Sequence, residues 1–405
     1  FTENQFAQMK DHVPEEDRAS WLATLLKINA LKNRLDIVQL LLRSGACMEA
    51  ANGALREAAL HGHKAVAKLL LDHRADMAVT GNEGHTALMG AAVGGHEAVA
   101  KLLLVHRADV AAANNHGDTA LILAAAAGHK PVTKLLLDHR ADVAAASNDG
   151  HTALMGAAVG GHEAVAKLLL VHRADVAAAR NEGLTALMVA AQGGHEAVAK
   201  LLLDHRADVA AARNDGVTAL MVAAQGGHEA VTKLLLVHRA DVAAADNEGL
   251  TALMVGGHEA VTKLLLVNRA DVAAAGNEGL TALMFAAVRG HEAVAKLLLV
   301  HRADVAAANN DGGTALILAA GAGHKPLTKL LLHHRANVEA ADNDGDTALI
   351  VTAAGGHEAV AKLLLDHRAD VAAAQNNGAT ALIRAAGRGH EAVAKLLLDH
   401  RADVA

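Results

Sequence analysis

Residues Thr86–Gly117 read TALMGAAVGGHEAVAKLLLVHRADVAAANNHG. This stretch parses into two short helices and a turn. Thr86 is placed to N-cap a helix running to about Val93, because a threonine hydroxyl can accept one of the amides that a helix start leaves unpaired. Gly95 stops that helix, and His96 opens a second one from Glu97 to about His106. Val99, Leu102 and Leu103 recur there at helical spacing, while Glu97 and Lys101 form an i,i+4 pair in the favourable order. Asn115-His116-Gly117 then reads as a tight turn, as do the NEG and NDG runs of other copies. Neither helix is long enough to be stable alone, so each must bury its apolar face on a neighbour.

The neighbours are further copies of the same unit. Thr-Ala-Leu begins at Thr86, Thr119, Thr152, Thr185, Thr218, Thr251, Thr281, Thr314, Thr347 and Thr380, always 33 residues apart except for the interval of 30 between Thr251 and Thr281. Twelve Leu-Leu-Leu runs, from Leu40–Leu42 to Leu396–Leu398, mark twelve second helices. The expected fold is all-α: helix-turn-helix repeats with β-turn connections, stacked as a solenoid. In the short copy, TALMVGGHEAV (Thr251–Val261) stands against TALMVAAQGGHEAV from Thr218, so almost one helical turn is missing. The stack should be thinned or bent across 251–280.

This unit resembles the ankyrin repeat. Gly84, Thr86, Leu88, Ala91, Ala92, Gly95, His96, Val99, Leu102, Leu103, Ala108, Asp109 and Val110 fall in register with that family's pattern. The resemblance covers 21–405 and leaves 1–20 as a lead-in segment. Residues 21–53 form an atypical first repeat with Lys27, Lys32 and Arg34, as suits an N-terminal cap. The chain stops mid-pattern at residue 405 and does not start with Met, so more chain or a covering partner is expected. Three departures stand out. The family's proline after Thr is Ala in every copy (Ala87), and its following histidine is Met or Ile (Met89, Ile122). The glycine ending the second helix survives as Gly45 but is Arg74, Arg107 and Arg140 in the next copies. If those sites remain left-handed, each arginine costs roughly 1–2 kcal/mol; the alternative is a rebuilt turn.

Composition excludes several classes. Against 44 acidic residues stand 37 Lys and Arg, a net charge of −7, and there is one Trp with three Phe and no Tyr. Nothing suggests a nucleic-acid surface, which needs basic stripes and rings on which bases stack. Cys47 alone cannot build a disulfide framework and suits a reducing compartment, so an intracellular, cytoplasmic location is expected. No apolar run approaches membrane-spanning length, so no direct membrane insertion is expected.

No constellation carries catalysis, and no enzyme, cofactor or metal site is expected. His106-Arg107-Ala108-Asp109 resembles part of a kinase catalytic loop, but it recurs in copy after copy, as at His73-Arg74 and His139-Arg140, and lacks the downstream Asn and the Gly-rich loop. It reads as scaffold, with Asp109 available to the local backbone. HEAVA (His96–Ala100) starts like a zinc-protease helix but has Ala where the second His belongs. Copies of His73, His106 and His139 stand about 8–10 Å apart, too far for two to share a zinc ion.

Function therefore falls to binding. The resemblance implies that first helices and turn tips line a concave surface holding a protein partner. The varying positions there include Leu123, Val189, Val222, Val255, Phe285, Val288, Leu318 and Val351, with Arg289, Arg384 and Arg388 available to meet acidic groups. Phe285, the only Phe, Tyr or Trp of the repeats beyond the atypical first one, is the expected anchor. Arg180, Arg213, Asp246 and Asp342 are expected to form a polar rim at the turn tips. Drift among copied repeats is the competing explanation for these apolar positions. The expected function is a non-catalytic interaction scaffold for a helix or extended peptide, as a subunit or assembly factor of a larger complex. Two alternatives stay open: a targeting arm of a larger enzyme or channel, and a pH- or metal-responsive histidine ladder.

Overall fold

The computed structural model describes Phe6, Gln8, Met9 and residues 12–400. Among these, twelve helix pairs follow one another, from Arg18–Leu31 with Leu35–Arg43 to Ala381–Gly387 with Glu391–Asp399. The only β features there are single antiparallel bridges at the turns, such as Ala113 with Thr119. The chain divides into two compact units, Phe1–Asp208 and Val209–Ala405. Arg401–Ala405, and with them the end of the last His-Arg-Ala-Asp copy and the interrupted end of the array, lie outside the described residues, as does part of the expected lead-in.

In Phe1–Asp208 the typical pair is Ala87–Val93 and Glu97–Val105. The Thr86 hydroxyl accepts the Met89 amide at 3.3 Å, and the Met89 sulfur accepts the Thr86 amide at 3.4 Å. Methionine thus supplies a weak acceptor where the ankyrin pattern has histidine. Leu88, Val99 and Leu103 are buried. Each such side chain contributes about 1.5–3 kcal/mol through lost apolar hydration, which is how helices of seven and nine residues persist.

Gly95 ends the first helix at φ 72, and the His129 ring of the following repeat lies where a side chain on it would stand. That ring bonds through Nε2 to the Val93 carbonyl at 2.9 Å, and His96 reaches the Leu60 carbonyl in the same way. Each Gly-His pair of Phe1–Asp208 therefore satisfies a carbonyl left open at the end of the preceding repeat's first helix. The lead-in and first repeat differ. The opening helix of the first repeat begins at Arg18, three residues before the expected boundary, and Phe6 stacks on Trp21 with ring centroids 5.6 Å apart.

The His-Arg-Ala-Asp turn is also explained atom by atom. His106 Nδ1 bonds to the Leu102 carbonyl at 2.9 Å, and the Asp109 carboxylate accepts the Ala111 amide at 2.9 Å. Between them Arg107 stands at φ 65, and Arg74, Arg140, Arg173 and Arg206 do likewise. The left-handed conformation is kept, not rebuilt, and its cost recurs along the array.

Val209–Ala405 repeats this plan with one interruption. Helix Ala252–Val255 has four residues where Ala219–Gln225 has seven. Gly256 turns extended, at φ −74 and ψ 120, instead of ending a helix. The expected thinning is thus the loss of one turn from a first helix.

Candidate binding surface

Turn tips and first helices together form one face of each unit. The tips are held by a ladder of asparagines. Asn148 Nδ2 donates to the Asn115 carbonyl at 3.0 Å in Phe1–Asp208, and Asn277, Asn310 and Asn343 each donate to the tip before them at 2.9 Å in Val209–Ala405. Backbone bonds run alongside, for example from the Asn277 amide to the Glu248 carbonyl. Such bonds tie successive tips to one another within each unit. The recurrence of Asn at the same register in successive copies is the sequence signal for them.

The expected contact positions do not behave alike. Leu123, Val222, Val255, Phe285, Leu318 and Val351 are half-buried, and Val288 is 48% exposed. Val189 is only 7% exposed and offers a partner almost nothing. Arg289 and Arg388 are exposed and Arg384 is half-buried, but none of the three is idle. Arg289 donates to the Val255 carbonyl at 3.5 Å and lies 5.7 Å from the centroid of the Phe285 ring. Arg388 donates to the Ala354 carbonyl at 3.1 Å. Both Nε and Nη2 of Arg384 donate to Gln375, whose amide in turn bonds to Asp346. Burial and the neighbouring Asp342 push the Asp346 carboxyl up, against the pull of Gln375 and Arg384.

The rim residues are similarly committed. Asp246 accepts the Glu248 and Leu250 amides at 2.9 and 2.8 Å, and Asp342 accepts those of Asp344 and Asp346 at 3.0 and 2.8 Å. Arg213 pairs with Asp215 at 2.8 Å, and Arg180 stands 3.6 Å from Asp149. Near Arg180, burial and that guanidinium lower the His151 pKa from its usual 6.5.

A concavity of about 490 Å³ opens on this face in Val209–Ala405. Glu248 and Glu278 stand at its mouth, half-buried Leu250, Leu280 and Phe285 supply its apolar wall, and Arg289 completes it. Of these, Phe285 and Arg289 were legible in advance. Leu250, Leu280 and the two glutamates were not, although the residue before Thr-Ala-Leu varies strongly between copies, from His85 and Asp118 to Val217, Leu250 and Gly313.

Other chemistry finds little support. The Gly-His and His-Arg histidines both spend ring nitrogens on backbone carbonyls, and Asn268 makes the His106-type bond to Leu264 at 2.8 Å with no titratable group. Among the described residues no three His, Cys, Asp or Glu side chains gather as a metal site, and no helix is long and apolar enough to cross a membrane.

Comparison with curated proteins found no match. A family model described as ankyrin repeats in three copies matches in seven overlapping segments: 26–114, 55–147, 105–179, 142–213, 209–275, 252–342 and 327–405. Ankyrin repeats are typically non-catalytic modules that mediate protein–protein binding. With helix pairs, capped turns and a family match that runs without a gap from residue 26, the chain belongs to the ankyrin-repeat family.

Proposed function

We propose that this chain is a non-catalytic scaffold that holds a protein partner on the first-helix and turn-tip face of Val209–Ala405. The observation that carries the reading is the concavity walled by Leu250, Leu280 and Phe285, side chains that the fold leaves partly open to water. Apolar surface kept accessible beside polar groups is the usual mark of an interaction site. A hydrogen-bonded tip ladder lowers the cost of binding, because little of this face must be ordered when a partner arrives. Phe285 is the anchor, and Arg289 holds its ring in place instead of reaching for the partner. The partner is a helix or extended segment of another protein, and the scaffold works as one component of a larger assembly.

A photo-reactive amino acid placed at Phe285, and separately at Lys296 on the second helix Glu292–Val300, tests this in native extract. Cross-links to a protein from position 285 and none from 296 are expected. Cross-links from 296 alone would move the site to the second helices. Phe285→Ala should weaken the captured partner by about 2 kcal/mol, roughly thirtyfold.

A further inference from the structure

We infer that the segment seated on this face is cationic as well as apolar: it places a lysine or arginine between the Glu248 and Glu278 carboxylates and an aliphatic or aromatic side chain against Phe285. The inference rests on the proposed binding face and adds the chemistry of its occupant. Glu248 and Glu278 are exposed and line the same concavity as Leu250, Leu280 and Phe285. Neither carboxylate makes a hydrogen bond or ion pair among the described residues. The cation beside them, Arg289, is turned to the Val255 carbonyl and the Phe285 ring.

The contrast with neighbouring tip acids is what gives these two glutamates meaning. Asp215 occupies the same register one repeat earlier, and Arg213 neutralises it at 2.8 Å. Asp246 is consumed by turn amides. The Glu248 and Glu278 carboxylates have no structural duty, yet their charge lines an apolar concavity. Two carboxylates against the single guanidinium of Arg289 leave the concavity net negative, which repels an acidic segment and attracts a basic one, and partial removal from water strengthens the effect. The arginines expected to receive an acidic partner are occupied, so the complementarity runs the other way.

A library of short random peptides displayed on phage, selected on the full chain, tests the inference. Enriched peptides should pair Lys or Arg with a neighbouring aliphatic or aromatic residue. The best of them should bind Glu248→Gln/Glu278→Gln on the order of tenfold more weakly, and should lose affinity as salt is raised. Both glutamates are exposed, so unchanged thermal unfolding of this variant is expected, and the salt titration reads the same contact without any substitution. Enrichment of acidic or uncharged peptides, no enrichment, or equal affinity for the double variant would overturn the inference. Phe285→Ala separates the two readings. Loss of binding there with none in the glutamate variant leaves the binding face standing and removes its cationic preference. Indifference to both substitutions removes the binding face as well.

Discussion

The repeats beginning at Thr251 and Thr281 follow one another within Val209–Ala405 and share most of their sequence, yet only one is complete. At Thr281 the hydroxyl accepts the Met284 amide at 3.4 Å, and the helix runs eight residues to a left-handed glycine. At Thr251 the same hydroxyl is buried with no partner, the Met254 amide bonds to the Thr251 carbonyl instead, and the helix ends after four residues. The histidine ladder breaks in step. His324 reaches the Val288 carbonyl at 3.0 Å, but the His258 and His291 rings make no such bond among the described residues. Three missing residues thus cost a cap, a helical turn and ladder bonds while leaving the second helix, Glu259–Val267, intact. The lesson is that one first helix can lose a turn and its cap while the second helix and the turns of the same repeat keep their form.

The largest test of that division is core truncation. Leu283→Ala in the complete repeat should cost about 2–5 kcal/mol in urea unfolding, and Leu253→Ala in the short repeat should fall at the lower end because a four-residue helix can collapse around the loss. Equal costs would mean the short helix is packed as tightly as the long one. Restoring Ala-Ala-Gln between Val255 and Gly256 should return the cap and the ladder bonds and stabilise the chain by about 2 kcal/mol. A neutral insertion would show that the short repeat has been compensated elsewhere. Thr281→Ala should cost about 1 kcal/mol, whereas Thr251→Ala, which removes a hydroxyl that bonds nothing, should cost little or even stabilise. Arg269→Gly and Arg302→Gly should each stabilise by about 1 kcal/mol, since both arginines hold φ near 65 in turns that the deletion leaves alone. A gain in only one of them would tie the turn to the first helix after all.

The smallest expected effect is on pH. Burial first, then Arg289, His258 and His324, lower the His291 pKa from its usual 6.5. The folded chain therefore prefers the neutral ring. Its contribution to stability is complete above about pH 6.5 and fades as the pH falls through the lowered folded value, because the unfolded chain binds the proton more readily. His291→Gln should make the fall of melting temperature with acid slightly shallower than in the parent. Parallel curves would show that His291 is not the group responsible.

Much of this was legible in the sequence because repetition makes each copy a control for the others. Thr86, Gly95, His96 and Asp109 recur, and each recurrence marks a backbone group that the side chain or the turn satisfies. The binding face was only partly legible. Val189 and Val222 sit in identical TALMVAAQ segments, yet one is buried and the other half-buried. Exposure at that register depends on what adjacent copies bring, which the segment itself does not encode. The partners of the arginines were hidden for a similar reason. Charge is visible in a sequence, but Gln375 as the acceptor for Arg384, nine residues away, and the Val255 carbonyl as the acceptor for Arg289 are products of packing. The same packing leaves Glu248 and Glu278 unpaired.

A second apolar row competes with the proposed face: Val267 and Val300 are 78% and 68% exposed on the second helices, and Val300 lines a concavity with Glu259 and Glu292. Carbodiimide footprinting of carboxylates, read by mass spectrometry with and without a bound peptide from the selection, distinguishes the two faces in one measurement. The account predicts that Glu248 and Glu278 become protected while Glu259 and Glu292 react as before. Protection of Glu259 and Glu292, with Glu248 and Glu278 still reactive, would contradict it and place the partner on the second helices.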